Sequence, residues 1–125
     1  MTLQELYALI EGDYEAATRV LRIEKLIDKH IRKLPANPIF PDLFKAWEAR
    51  DEKAVFEAAH AVKGVCSNLG LLKMAALSSD VCEEFRAGNQ RRYSDAQLGE
   101  IIGEIKKLFS KASDGIARYE SEIQP

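Results

Sequence analysis

A chain of 125 residues is about one domain, long enough for a single hydrophobic core and too short to hold a nucleotide-binding catalytic domain beside a second module. With 46% hydrophobic and 30% charged residues, the composition is globular and helical, and it excludes a disordered or fibrous protein. The formal net charge of −2 excludes electrostatic attraction to nucleic acid, so the pair Arg91 and Arg92 reads as a solvated loop.

In chain order, Thr2 and Glu5 form a capping box ahead of Leu3, Leu6, Leu9 and Ile10, predicting a first helix that stops near Gly12. Asp13 is the expected cap of a second. From Tyr14 to Leu34 the residues Val20, Ile23, Ile27, Ile31 and Leu34 recur at helical spacing, predicting one amphipathic helix of about six turns. His30 lies at the edge of that stripe and is expected to be partly covered. Pro35, Pro38 and Pro41 must break or bend the chain. A short helix follows over about 41–49 with Leu43, Phe44 and Trp47, and Asp51 caps the next, which runs through His60 to about Leu69. Gly70 stands where a helix end favours a left-handed residue. A helix from about Leu72 to Phe85 ends at Ala87, Gly88 and Asn89. Ser94 and Gln97 then open a last long helix reaching Tyr119. No segment alternates as a strand does, and the expected fold is an all-α, antiparallel up-down four-helix bundle with additional short helices at the N-terminus and in a connection.

Cys66 and Cys82 are separated by sixteen positions and belong to no CxxC, which predicts buried free thiols. No apolar stretch is long enough to span a bilayer and no secretory leader opens the chain, so a cytoplasmic location is expected, with no membrane partner. The initial Met1 and the capped first helix favour a free-standing protein.

A helical wheel orients His60. Val55, Ala58, Ala59, Val62, Cys66 and Leu69 fall between roughly 160° and 260° from it and form the buried stripe. Lys53, Phe56, Glu57, Lys63, Gly64 and Ser67 fall within about 60° of it, on the solvent face. A glycine inside a helix costs about 0.5–1 kcal/mol relative to alanine, and Gly64 stacks one turn beyond His60. Its missing side chain leaves the flank of the imidazole open. Lys63 can set its ammonium beside an anion on the ring, and Phe56 offers apolar surface for a docking partner to cover, with Glu57 and Ser67 beside it. An exposed imidazole is largely neutral near pH 7, which leaves one ring nitrogen nucleophilic.

In HAVKGVCSNLG, the residues His60, Lys63, Gly64, Asn68, Leu69 and Gly70 match an HxxKGxxxNLG pattern, and the chain here resembles the histidine-containing phosphotransfer (HPt) domains of two-component phosphorelays. The resemblance extends through IEGDYEAATRVL, FKAWEARDEKAVFEAAH and LLKMAALSSDVCEEFRAGN, from about Leu6 to Tyr119. It implies a four-helix bundle without kinase or phosphatase activity of its own. It further implies that His60 accepts a phosphoryl group from a receiver-domain aspartyl phosphate and passes it to another receiver aspartate. Lys63 would be the electrostatic partner and Gly64 the clearance for the receiver. No cofactor is implied on this chain, since the receiver brings the Mg²⁺. The implied partners are receiver domains of response regulators or hybrid sensor kinases, met by a monomer. Val65 and Cys66 stand where the family often has small hydroxyl residues, but on the wheel they lie on or beside the core stripe and leave the site intact. The segment KLPANPIFPD looks like an insertion into the family's second bundle helix.

Three rival readings follow from the same residues. Glu57 and His60 form one ExxH pair, but a di-iron bundle needs two such pairs pointing inward, and His30 is preceded by Ile27 instead of Glu. The dimerisation helices of a sensor kinase would usually place an acidic residue after the histidine and an ATP-binding domain downstream. The alternative from another class is a non-phosphorylated helical adaptor, which needs the docking face but not the imidazole.

Overall fold

The computed structural model describes residues 1–123, which form seven α-helices: α1 (Leu3–Leu9), α2 (Tyr14–Leu21), α3 (Glu24–Lys33), α4 (Ile39–Glu48), α5 (Glu52–Asn68), α6 (Leu72–Glu84) and α7 (Asp95–Ile123). Side-chain caps set several of the starts. Thr2 Oγ1 accepts from the Glu5 N–H at 3.1 Å while Glu5 Oε1 accepts from the Thr2 N–H at 3.0 Å, and Ser94 and Gln97 repeat the exchange ahead of α7. Asp13 and Asp51 accept from the Ala16 and Ala54 N–H groups at 3.0 and 3.2 Å and so open α2 and α5.

Helices α4, α5, α6 and α7 pack each against the next, and α7 returns to α4, closing a four-helix bundle. The turns Ala49–Asp51 and Leu69–Leu71 are too short for anything but antiparallel neighbours. The apolar stripe of each helix meets in one core: Leu43 of α4, Val55 and Val62 of α5, Val81 of α6, Ile105 of α7. The Phe40 ring stacks on Phe109 with centroids 4.1 Å apart, which fixes α4 against α7. Pro41 sits in the first turn of α4, where a missing N–H costs nothing.

The expected six-turn helix from Tyr14 to Leu34 is instead two helices. Arg22 adopts φ 70° and ψ −43°, and the Ile23 N–H donates to the Leu21 carbonyl at 2.8 Å, a γ-turn of the rare positive-φ form. The break turns Val20 and Ile23 out to solvent, while Ile27 and Ile31 stay buried. It also leaves the bundle's remaining side to α4, which is short. Tertiary ties hold α3 in its new direction: Tyr119 Oη donates to Asp28 Oδ1 at 2.5 Å, and Arg32 reaches Glu120 at 3.3 Å. His30 is exposed and not partly covered, because Ile27 and Ile31 alone turn inward.

The loop at Arg91 and Arg92 is solvated as expected, and a buried carboxylate also holds its backbone. Glu84, at the end of α6, is 2% exposed. Its carboxylate accepts from the backbone N–H groups of Arg92 and Tyr93 and from Arg92 Nε, all within 3.0–3.1 Å. Burial pushes the Glu84 carboxyl up, but these donors outweigh it and leave the group below the usual carboxylate range. The loop is pinned by a buried charge even though its arginine side chains are wet.

Candidate functional site

The proposed site lies on α5, and both ends of that helix are anchored by other segments. At its start the Asp51 N–H donates to the Ala46 carbonyl at 3.0 Å. At its end Leu71 N–H donates back to the Cys66 carbonyl at 2.8 Å, with Gly70 at φ 71°. A side chain at Gly70 is excluded twice over, since a Cβ there would stand 2.2 Å from the Asp13 carbonyl oxygen. The close approach serves a bond: the Asp13 N–H donates to the Gly70 carbonyl at 2.8 Å, joining the start of α2 to the end of α5. Tyr7 Oη adds a buried bond to the Leu69 carbonyl at 2.7 Å. Sequence reasoning identified Gly70 as a helix end but missed these ties, which link distant segments and leave no local signature.

Between these anchors α5 presents the faces that the wheel assigns. Val55, Ala59, Val62, Cys66 and Leu69 are buried and Ala58 is half-buried. His60, Lys53, Glu57 and Gly64 are exposed; Phe56, Lys63 and Ser67 are half-buried. His60 is exposed and makes no hydrogen bond among the described residues. A Cβ built at Gly64 meets nothing within 4 Å. The glycine therefore answers no packing demand.

The neighbour of His60 on its own helix is Phe56, with ring centroids 6.1 Å apart at 39°. Phe56 is less free than the sequence implies: the guanidinium of Arg86, just past the end of α6, lies over its ring at 5.4 Å. Arg86 is held there by Glu83, through bonds of 2.9–3.0 Å to both carboxylate oxygens, which keep that carboxyl below its usual range. The sequence singled out neither Arg86 nor Glu83; a cation one turn past an acidic residue is too common a pattern to signal a site. Glu57 lies on the rim of a shallow groove of about 500 Å³ between α4 and α5, floored by Ala46, Ala54, Ala58 and Ala61.

Cys66 and Cys82 are free and buried, and burial pushes the Cys66 thiol up to about 12. Among the described residues, no three His, Cys, Asp or Glu side chains are grouped to hold a metal ion, and no helix is long and apolar enough to cross a membrane.

A family model described as the Hpt domain matches residues 15–115, which takes in α2 to α6 and most of α7. No curated protein and no solved structure matches the chain. The match spans well over half of the sequence and falls on an all-helical bundle, so the chain belongs to the Hpt domain family, whose members are phosphotransfer modules of two-component signalling and are neither kinases nor phosphatases.

Proposed function

We propose that the chain is a phosphorelay intermediate in which His60 carries the phosphoryl group between receiver domains. The observation that bears most weight is the solvent-facing, unpartnered imidazole of His60 on a helix anchored at both ends, with open space at Gly64 one turn on. In the accepting step a neutral ring nitrogen attacks phosphorus, a P–N bond forms, and the P–O bond to the receiver's aspartate breaks with its electron pair returning to the carboxylate. The donating step is the reverse, onto a second aspartate. Little covalent work falls to this chain, and its contribution is position and charge.

Lys63, three residues on from His60 and so nearly one turn along α5, offsets charge on the phosphoryl group. Gly64 gives the receiver's acidic pocket access to the ring. Phe56, Glu57 and Ser67 lie under the docked receiver, and the divalent cation belongs to the receiver. His60 acts without a resident cofactor.

The test uses receiver domains phosphorylated by a small-molecule donor, incubated with the protein and with His60→Gln. An acid-labile, base-stable phosphate on the unsubstituted protein alone is the expected result. Label that survives the substitution would overturn the assignment of His60. Binding without transfer would favour the adaptor reading.

A further inference from the structure

We propose that the α2–α3 corner is a contact site for an anionic lipid surface, a role apart from His60 and not dependent on the phosphotransfer reading. Five large hydrophobic residues are exposed among the described residues, and three of them, Val20 at 50%, Ile23 at 54% and Leu26 at 37%, fall within seven positions around the corner. The γ-turn at Arg22 creates this patch by ending α2 at Leu21, two residues before Ile23. A positive φ on a non-glycine residue is strained, and such strain concentrates where a conformation serves a function.

The surrounding charge specifies the partner. From Arg19 to Lys33 the chain holds six Arg and Lys residues against Glu24 and Asp28, although the whole protein carries a net charge of −2. Asp28 is engaged by Arg32 and Tyr119. Arg19, Arg22, Lys25 and Lys29 form no ion pair among the described residues, and all four are exposed. Exposed aliphatic residues interspersed along the chain with long, unpaired cations are the pattern of an interfacial membrane contact: the aliphatic groups enter the headgroup boundary while the cations reach anionic headgroups. A protein partner fits the same residues less well. Protein interfaces are enriched in aromatic residues and depleted in lysine, and this corner has lysines and no exposed aromatic ring.

Peripheral contact of this kind needs no spanning helix, and it departs from the expectation that the chain has no membrane partner. It also leaves the candidate site free. Leu21, at the end of α2, lines one pocket with Val65, which lies about 140° round α5 from His60.

Flotation of the full chain with vesicles tests the proposal. Vesicles of phosphatidylcholine with about one third phosphatidylserine should bind at least about fivefold more protein than phosphatidylcholine alone, and raised salt should abolish the difference. Ile23→Ser, which supplies a good helix cap, and separately Lys25→Gln with Lys29→Gln, should each lose most of the binding while keeping far-UV dichroism and phosphoryl transfer intact. Equal binding to both vesicles, no binding, or binding that survives both variants would overturn the proposal. So would uptake of an acidic amphipathic peptide at this corner without vesicle binding, which would assign it to a protein partner.

Discussion

The phenol of Tyr7 and the backbone carbonyl of Leu69 meet at 2.7 Å in a position closed to water, joining α1 to the last turn of the helix that carries His60. That carbonyl is one of those a helix end leaves without an internal partner. Tyr7→Phe keeps the ring and removes the donor, stranding a buried acceptor, and should cost about 1–3 kcal/mol, read as a lower urea midpoint at unchanged slope. Burial also raises the Tyr7 phenol above its ordinary range, so the folded state favours the protonated form. This contribution is full below a pH of about 10 and declines as pH rises beyond it, and Tyr7→Phe should flatten the decline. Tyr119, raised first by burial and then by its bond to Asp28, leaves part of the decline in place.

Two glycines of α5 and its end should respond in opposite directions. Gly64→Ala enters open space on a helix and should stabilise the protein by about 0.5–1 kcal/mol. Gly70→Ala meets both a positive φ and the Asp13 carbonyl, and should destabilise by at least about 2 kcal/mol. Thermal or chemical denaturation of the pair separates the two effects. Gly64→Gln should fold normally yet slow phosphoryl transfer from a receiver by at least about tenfold; an unchanged rate would remove clearance as the reason for this glycine.

At the α6–α7 loop, Glu84→Gln exchanges a buried carboxylate held by three donor groups for a neutral amide, with an expected loss of about 1.5–3 kcal/mol. The carboxyl is lowered in the folded state, so its contribution is present above the ordinary glutamate value of 4.5 and is lost as pH falls below it. The wild-type protein should therefore lose stability on acidification more steeply than the variant, measured as urea midpoints across that range.

Both thiols should be silent toward a disulfide reagent in the native protein and titrate fully once it is unfolded. Cys66 is fully buried and raised to about 12, so neither access nor thiolate is available near neutral pH. Rapid native-state labelling of Cys66 would show that α5 opens locally, and of Cys82 that α6 does.

The sequence is most transparent where a local rule suffices. The caps at Thr2, Asp13, Asp51 and Ser94 and the helix end at Gly70 depend on residues within a few positions, and each is where the pattern places it. The faces of α5 follow from periodicity alone. The break at Arg22 was illegible because neither glycine nor proline marks it, and the spacing of Val20, Ile23, Ile27 and Ile31 suits an unbroken helix equally well. What decides it is tertiary: Asp28 and Arg32 are claimed by Tyr119 and Glu120 of α7. Glu84 was illegible for a similar reason, since its partners include backbone N–H groups eight and nine residues away.

With Asp51 bonded to Ala46 at one end and Leu69 and Gly70 held by Tyr7 and Asp13 at the other, α5 behaves as a beam clamped at both supports. A molecule that lands on its outer face meets a surface already in its final shape and surrenders little conformational entropy there. Recognition on this face is then governed by fit and by how long the visitor stays.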